Sequence, residues 1–488
     1  INNEMQIFNK SVNYISGFPS WNSSIDKSSI WPLKEYTRIN YQDHRKYGDP
    51  RYAWELNRFL HLIDLGRASW LTLDNKYSKR ICEEINNWII ENPFLYGINW
   101  VEGIEVGIRS INWIITFDLI SKSSSINNVL DSFVDSLYLH GYYLKENLSD
   151  KWVTNNNHII AELAGLAFIG NFFKNYSFGQ RWFDFALDNL ILELENQVMD
   201  DGFIWESSTG YHKFVTELIY LVERLASKEN DLRSRILKKF LDPMLIALHY
   251  SIKPNGNICR IGDSDDAVVL KFSSNPHFPD FLNSASISYS NDNLFFGNEH
   301  SEYSFWINGY SEVPKETNKE QFKVFSDSGL IFYNKILRGE KFWCCFNAGN
   351  QYEKYLGAGH RHADLLSINV NFSGNDLIVD SGTYKYFDNK AIRDYFKGTV
   401  AHSTTNIRNK SQIKFKERFE TSLKYNAISK ITFIDKENYK VTAEHDGYMK
   451  NFSTVLERNI SFSEKVVIID SSRPLNNNQT NLNFVIPF

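Results

Sequence analysis

The chain has 488 residues, 42% of them hydrophobic and 15% aromatic, and a formal net charge of −5. The composition excludes a disordered chain, and the lack of an apolar run of about 18 residues excludes a transmembrane helix. A negative net charge argues against a nucleic-acid partner, although a local cluster of cations could bind a polyanion. The four cysteines form no CxxC pair, so they predict neither a disulfide framework nor a zinc site.

The first half of the chain has helical periodicity. In "RYAWELNRFLHLIDLG" the apolar residues recur at helical steps of three, four and seven, and they are Leu56, Phe59, Leu60 and Ile63. Similar patterns continue to about residue 250, separated by connections rich in Asn, Ser, Gly or Pro. These patterns predict a succession of amphipathic helices stacked as hairpins.

Beyond about residue 255 the period changes to two. Segments such as "LLSINVNF" and "KVVIID" are short and rich in β-branched or aromatic residues, which is typical of an antiparallel β-sandwich. We therefore predict a helical domain over 1–255, a Ser/Asn/Pro-rich connecting region over 256–320 and a β-sandwich domain over 321–488. Because the chain starts with Ile and stops inside a predicted strand, we expect a processed or trimmed chain whose sandwich domain is truncated at the C-terminus.

Polar residues cluster before two of the predicted helices. The run "TNNNH" precedes an apolar helix, where one Asn is enough to cap the first free N–H groups. The surplus of polar groups indicates a functional role for Asn157 and His158. The stretch "DDGFIWESSTGYH" places Glu206 and Tyr211 beside a turn at a second helix start, where a tyrosine usually only packs.

Three residues of the sheet half could bind a metal. His362 lies in "GHRHAD", Asp380 in "VDSGTYKY" and His402 in "GTVAHSTT". Zinc favours imidazole nitrogen and carboxylate oxygen, and neighbouring strands could bring the three segments together. The spacing alone is weak, because no compact HExxH pattern is present and a histidine in a strand is more often only hydrogen-bonded.

Eight segments together resemble the heparinase II/III-like family of polysaccharide lyases. In chain order they are "DPRYAWELNR", "NPFLYGINWVEGIEVGIRSINW", "NNNH", "DDGFIWESSTGYH", "GDSDD", "GHRHADLLSI", "VDSGTYKY" and "YFKGTVAHSTT". The resemblance implies an incomplete N-terminal (α/α) toroid followed by a C-terminal antiparallel β-sandwich. It also implies β-elimination at the uronic acid residues of an acidic polysaccharide, a structural divalent metal such as zinc, and no organic cofactor. We expect the protein to be periplasmic or secreted.

The same resemblance implies roles for single residues. Asn157 and His158 would contact or neutralise the uronate carboxylate. Tyr211 would transfer the proton as base or acid, for which nearby cations must lower its pKa from about 10. His360 would be the second catalytic residue of the cleft, as a base or as a contact for the carboxylate, and would come from the sheet half. Tyr384 would be a second tyrosine of the cleft. The implied metal ligands are His362, Asp380 and His402.

Four further residues are implied only as substrate-binding or cleft-shaping groups, namely Glu206, Arg109, Arg260 and Arg361. Arg109 could instead form a helix-surface pair with Glu105, four residues earlier. The small number of basic residues near the motifs argues against a densely sulfated substrate. Capsular, O-antigen, alginate-like and low-sulfate glycosaminoglycan chains remain open.

Two other classes of function remain open. A glycoside hydrolase on an (α/α) toroid needs two facing carboxylates about 6–10 Å apart when it inverts, and the candidates are Asp200, Asp201, Glu206, Asp263 and Asp265. A non-catalytic glycan-binding or assembly factor of a bacterial surface-polysaccharide pathway would have no need of a proton-transfer tyrosine. Only elimination leaves an unsaturated uronate that absorbs in the ultraviolet.

Overall fold

The computed structural model of the chain describes residues 5–8, 10–12, 14–25, 29–149, 156–264, 267–272, 275, 278–297, 299, 301–317, 319–349, 359–387, 389–417, 420–421, 427–463, 466–473 and 480–482. The chain forms two compact units. The helical unit comprises Ile1–Asn196, Glu217–Leu237 and Val268–Ser274, and the sheet unit comprises Gln197–Thr216, Lys238–Ala267 and Asn275–Phe488.

Short antiparallel hairpins come first, formed by β1 (Gln6–Ile7), β2 (Lys10–Ser11), β3 (Tyr14–Ile15), β4 (Phe18–Pro19), β5 (Ser23–Ser24) and β6 (Ser29–Ile30). The helices that follow are α1 (His44–Tyr47), α2 (Arg51–Asn57), α3 (Leu60–Thr72), α4 (Asn75–Glu91), α5 (Gly103–Leu119), α6 (Leu130–Glu146), α7 (Asn157–Phe172), α8 (Ser177–Gln197), α9 (Thr209–Lys228) and α10 (Arg233–Ser251). Among the described residues, none of the helices has both the length and the apolarity that a membrane span requires.

The helical unit has two layers. Helices α3, α5 and α7 pack in succession, and α4 packs against α6. Residues of α5 and α7 are buried almost all the way round, as expected for the more central layer. Where these two helices cross, a Cβ on Gly165 would lie 2.4 Å from the Cα of Gly107. Only glycine permits this approach, so the two residues fix the crossing that positions the start of α7.

The sheet unit contains a β-sandwich. One sheet has the order β11-β10-β9-β8-β7 and the other β15-β16-β17-β18, with all neighbours antiparallel. Ile331 and Phe346 of the first sheet share a buried core with Val441 and Ile460 of the second. The strands are β7 (Phe322–Phe325), β8 (Leu330–Leu337), β9 (Glu340–Asn347), β10 (Ser367–Phe372), β11 (Asn375–Ile378), β15 (Ser429–Asp435), β16 (Lys440–Tyr448), β17 (Thr454–Phe462) and β18 (Val466–Arg473).

Smaller elements complete the sheet unit. They are α11 (Phe281–Tyr289), α12 (Glu302–Asn308), α13 (Lys390–Lys397), β12 (Thr405–Ile407), β13 (Phe415–Glu417), β14 (Glu420–Thr421), α14 (Met449–Phe452) and β19 (Thr480–Leu482). Helices α11 and α12 lie within the segment predicted as a connecting region.

The outer face of the five-stranded sheet positions the start of α9. Phe332 and Trp343 on that face share a buried cluster with Phe203, Tyr250 and Ile261. The segments before α9 and after α10 are therefore packed onto the sheet. As a result Tyr211, in the first turn of α9, belongs to the same unit as the strands of the sandwich.

Candidate active site

Tyr211 and His360 form the centre of the site. Ser208 and Thr209 fix the start of α9, because Ser208 Oγ accepts a hydrogen bond from Tyr211 N (3.1 Å) and Thr209 Oγ1 donates to Cys259 O (2.6 Å). The rings of Tyr211 and His360 stack, with centroids 3.7 Å apart and planes inclined by 20°. The proximity that the sequence predicts for these two residues is therefore present.

A buried carboxylate, Asp263, holds the His360 ring. Asp263 Oδ2 lies 3.1 Å from His360 Nδ1, and Asp263 N donates to His360 O at 2.8 Å. The preceding Gly262 has φ +67°, and a Cβ there would lie 2.4 Å from Ser207 O and 2.8 Å from His360 O. Glycine is thus needed for the backbone to bring Asp263 against the histidine segment.

Four side chains converge on Asp263. Besides His360, Arg393 Nη2 donates to Oδ2 at 2.5 Å, His362 Nε2 lies 2.8 Å from Oδ1, and Thr383 Oγ1 donates to Oδ1 at 3.4 Å. Burial alone would raise the pKa of the Asp263 carboxyl. The Arg393 guanidinium and the two imidazoles overcome that effect and hold this pKa well below its usual value. Asp263 is therefore a fixed negative charge that orients its neighbours.

A second tyrosine contacts the first. Tyr386 Oη lies 3.1 Å from Tyr211 Oη, and the Arg393 guanidinium lies 4.9 Å from the centroid of the Tyr386 ring. Tyr386 is buried, whereas Tyr384 is 57% exposed and stacks its ring on Phe396 at 5.2 Å. The structure thus places Tyr386 at the phenol of Tyr211, and the predicted role of Tyr384 as a second tyrosine of the cleft stays a prediction.

Glu206 and Lys397 lie close to the His360 segment. Glu206 is buried, and its Oε2 lies 3.5 Å from His360 Nε2. Lys397 Nζ donates to Gly359 O at 3.2 Å, and burial lowers the pKa of Lys397 to about 8. The prediction for Glu206 as a residue that shapes the cleft is consistent with this position.

The three predicted metal ligands lie together beside this cluster. One donor atom from each of His362, Asp380 and His402 lies within 4.8 Å of the others, and all three side chains are buried. His402 Nδ1 is 2.7 Å from Asp380 Oδ2. The other carboxylate oxygen, Asp380 Oδ1, accepts a hydrogen bond from Gly382 N at 2.8 Å. His362 Nδ1 and His402 Nε2 have no hydrogen-bond partner in the described part of the chain. Two imidazoles and a carboxylate with unused donors fit a divalent metal such as zinc.

Two sequence profiles cover most of the chain. Residues 8–291 match "Heparinase II/III N-terminus" and residues 317–487 match "Heparinase II/III-like, C-terminal". The chain belongs to the heparinase II/III family. The family predicted from the eight segments is therefore confirmed.

Relatives within the heparinase II/III family are distant. The chain is 22% identical over 411 residues to a heparin-sulfate lyase of Bacteroides thetaiotaomicron, covering 78% of this chain and 55% of that protein. It is 23% identical over 417 residues to one of Pedobacter heparinus, covering 80% of this chain and 59% of that protein. The chain thus spans between half and two thirds of the length of these relatives.

Solved structures in the heparinase II/III family share the fold. A crystal structure of heparinase III has a TM-score of 0.67 at 17% identity and covers 96% of this chain and 68% of its own. A crystal structure of heparan sulfate lyase HepC from Pedobacter heparinus has a TM-score of 0.58 at 19% identity, and the match covers 91% of this chain and 65% of HepC. The predicted fold class, a helical toroid part followed by an antiparallel β-sandwich, is confirmed.

Asn157 and His158 lie in the helical unit of this heparinase II/III chain. Asn157 is buried and begins α7. The capping role falls to Asn156, whose Oδ1 accepts from His158 N at 2.9 Å. The partly exposed His158 has its Nδ1 3.4 Å from Glu102 Oε2. Capping therefore does not explain the side chains of Asn157 and His158.

Arg109 is enclosed in the helical unit. It is fully buried, donates from Nε to His140 Nε2 at 2.9 Å and lies 4.4 Å from the centroid of the Trp88 ring. Burial lowers the pKa of Arg109 to about 9. The alternative surface pair does not form either, because Glu105 binds Arg58 at 2.7 Å. This position is typical of a structural arginine rather than of one that contacts a polymer.

The two remaining arginines differ in exposure. Arg361 is buried, donates to Ala427 O at 2.9 Å and has its pKa lowered to about 9 by burial, so its position favours a structural role. Arg260 is exposed, and its guanidinium lies beside the backbone of Gly382, where an added Cβ would be 3.4 Å from Nη1. Of the two arginines predicted in this unit, Arg260 is therefore the exposed one, and its role in substrate binding stays a prediction. The hydrolase candidate Asp265 lies outside the described residues.

The sequence motifs contained three site residues without identifying their roles. Asp263 lies in "GDSDD", Tyr386 in "VDSGTYKY" and Lys397 in "YFKG", all quoted for the resemblance. Arg393 lies just before "YFKG", in a segment with no distinctive pattern. Its only sequence signal is that it lies four residues before Lys397, one helical turn away on α13.

Proposed function

We propose that this chain is a polysaccharide lyase that cleaves a uronic-acid-containing polysaccharide by β-elimination. The observation that supports it most is the stacked pair of Tyr211 and His360 at 3.7 Å, with His360 held by the buried Asp263. Relatives named as heparin-sulfate lyases support the same class of reaction.

The reaction requires removal of a weakly acidic proton. The C5 proton of a uronate is alpha to a charged carboxylate, so negative charge accumulates there in the transition state. A lyase must neutralise that carboxylate, place a base at C5 and place an acid at the departing glycosidic oxygen. The C5–H bond breaks, a C4–C5 double bond forms, and the C4–O bond breaks as the oxygen takes up a proton.

Tyr211 is the proposed proton-transfer residue. An ionised phenol would take the C5 proton, and the phenol so formed would give a proton to the leaving oxygen. A hydrogen bond from Tyr386 Oη, 3.1 Å away, would stabilise the ionised form. The cationic Arg393, 4.9 Å from the Tyr386 ring centroid, would act in the same direction.

His360 is proposed to assist Tyr211 as a second base or as a contact for the uronate carboxylate. Its Nδ1 is engaged by Asp263, which fixes the ring plane against the phenol. Asn157 and His158 are proposed, from the family resemblance alone, to neutralise the uronate carboxylate.

His362, Asp380 and His402 are proposed to bind a divalent metal, with zinc the best match to two imidazoles and a carboxylate. When bound, the metal would cross-link the three segments that supply these ligands. His362 also contacts Asp263 at 2.8 Å, so the metal site would stabilise the Asp263 side chain that orients His360.

A panel of uronate polysaccharides tests the proposal. Capsular, alginate-like and low-sulfate glycosaminoglycan chains are incubated with the protein, and ultraviolet absorbance and reducing ends are measured together. A lyase produces both signals on at least one substrate, and Tyr211→Phe abolishes both. Reducing ends without absorbance indicate a hydrolase, and binding without either signal indicates an assembly factor; both results contradict the proposal. Since such substrates lie outside the cytoplasm, we also propose a periplasmic or secreted location.

The geometry does not favour the hydrolase. Asp263 is neutralised by the donors around it, so it is a poor general acid or base. Asp201 Oδ2 accepts hydrogen bonds from the backbone N–H groups of Asp327 (2.9 Å) and Ser328 (2.7 Å), as expected for a structural carboxylate.

A further inference from the structure

A recess lies on the outer face of the five-stranded sheet. It has a volume of about 220 Å³, against roughly 30 Å³ for one water molecule. Asn334 pairs with Trp343 across β8 and β9, and Ile336 pairs with Lys341. Because alternate residues of a strand share a face, these four side chains lie on the face that carries the buried Trp343.

The recess is separate from the candidate active site. Lys341 lies near one end of β9, and Asn347 ends the strand at the other side, where its Nδ2 lies 3.4 Å from Asp364 O. Asn347 follows Lys341 by six steps along the strand, which corresponds to about 20 Å. A ligand in the recess would therefore not contact Tyr211 or His360.

Positive charge exceeds negative charge in the recess. Lys319 Nζ donates to His249 O at 2.6 Å and to Ile252 O at 2.9 Å, which leaves a third N–H without a partner among the described residues. Lys341 Nζ lies 2.8 Å from Glu316 Oε1, and Lys335 also lines the recess, so three ammonium groups accompany one carboxylate.

Two further observations support an anionic ligand. Burial lowers the pKa of Lys319 to about 7, and the nearby Lys341 cation acts in the same direction, against the effect of Glu316. A bound anion would relieve that unfavourable environment. Asn334 Nδ2 is a buried donor with no hydrogen-bond partner among the described residues.

One wall of the recess is apolar and aromatic. Trp343 is buried as the floor, Phe296 lies under Lys341 with its ring centroid 5.7 Å from Nζ, and Ile252 and Pro254 also contribute. The volume is below the roughly 300 Å³ of pockets for drug-sized ligands. It is large enough for a single ring that bears a charged group.

We infer that this recess binds a single acidic sugar residue, with the carboxylate between Lys319 and Lys341 and the ring against the aromatic wall. The choice of a sugar among small organic anions rests on the proposed function, because a polymer substrate would present such residues beyond the site of cleavage. The site would then anchor the polysaccharide at a distance from Tyr211.

Calorimetric titration of the whole chain with glucuronate, glucose and inorganic sulfate tests the inference. We expect glucuronate to bind about 10-fold more tightly than glucose, because hydrogen bonds to charged groups dominate the difference. Lys341→Met should weaken glucuronate binding about fivefold or more, and Glu316→Gln should strengthen it, because it frees Lys341. Lys341 is chosen because it is half exposed, whereas Lys319 holds two buried carbonyls and its replacement risks unfolding.

Two controls localise the binding. Lys323→Met removes one charge from a neighbouring strand and should leave glucuronate affinity unchanged. Among the described carboxylates, Lys323 pairs only with Glu320, at 3.3 Å. In a His360→Ala background, Lys341→Met and Glu316→Gln should change glucuronate affinity in the same directions, which separates the recess from the candidate active site.

Equal binding of glucose and glucuronate, or no response to Lys341→Met and Glu316→Gln, would overturn the inference. Sulfate binding as tight as that of glucuronate would overturn the assignment to a sugar. Lyase turnover is read separately: if glucuronate binds here as described and no polysaccharide yields ultraviolet absorbance, the recess stands and the proposed function fails.

Discussion

Arg109 of the helical unit and Arg393 of the sheet unit are both buried guanidinium groups, but their surroundings differ. Arg109 contacts His140 and the Trp88 ring and forms no ion pair with a described carboxylate, and burial lowers its pKa to about 9. Burial acts on Arg393 in the same direction, but the Asp263 carboxylate overcomes it and raises the pKa of Arg393.

This difference indicates that Arg109 has a packing role and that Arg393 has a role in the candidate active site. In the helical unit a buried cation fills an aromatic core and is tolerated at some cost. In the sheet unit the cation and Asp263 neutralise each other while orienting His360 and the tyrosines. We therefore expect changes around Asp263 to alter turnover and changes around Arg109 to alter stability alone.

Tyr211→Phe should produce the largest effect. Removal of the phenolic oxygen deletes the proposed proton-transfer group, so kcat should fall by about 10³-fold, within the range for general acid–base residues. Ultraviolet turnover measured on the best polysaccharide of the panel gives the value. Tyr395→Phe, at an exposed tyrosine of the same unit, is the matched control. A Tyr211→Phe protein that retains most of its turnover would remove the phenol from the mechanism.

The sequence predicts the fold and the centre of the site better than its electrostatics. Helical and alternating periodicities predict the two kinds of structure, and quoted motifs contain Tyr211 and His360. The partnership of Asp263 with Arg393 joins residues 130 positions apart, so no local pattern could reveal it. Tyr384 and Tyr386 occupy one motif, and the left-handed backbone at Tyr384 (φ +59°) is part of the local conformation that decides which ring is buried.

Asp263→Asn should have the next largest effect. The change leaves the buried Arg393 without its carboxylate, which should cost about 3 kcal/mol of unfolding free energy. It also loosens His360, so kcat should fall even at temperatures where the variant is folded. Denaturant unfolding and turnover at low temperature measure the two effects. Asp201→Asn, at a carboxylate that binds backbone N–H groups instead, serves as control. Equal losses of turnover in both variants would show that the Asp263 cluster has no special part in catalysis.

Metal removal should act mainly on stability. Chelation, or His362→Ala, should lower the bound zinc measured by elemental analysis, and with it the melting temperature, by the equivalent of about 2–3 kcal/mol for a site near saturation. Turnover should fall less than in Tyr211→Phe, since the metal is proposed to hold segments in place. His445→Ala changes a buried histidine that is not one of the three proposed metal ligands, so it should leave the zinc content intact. Unchanged zinc content in His362→Ala would refute the assignment of the ligands.

Arg109→Met should have the smallest effect and tests the comparison of the two arginines directly. Methionine fills the space beside Trp88 without a charge to desolvate, which offsets the lost hydrogen bonds to His140 Nε2 and Asn99 O. The unfolding free energy should therefore change by no more than about 1 kcal/mol, with kcat and KM equal to those of the unmodified chain. Arg393→Met should lower the unfolding free energy and kcat several-fold more than Arg109→Met does, because Asp263 then lacks its strongest partner. A raised KM in Arg109→Met would instead show that the helical arginine reaches the polysaccharide, as the family resemblance implies.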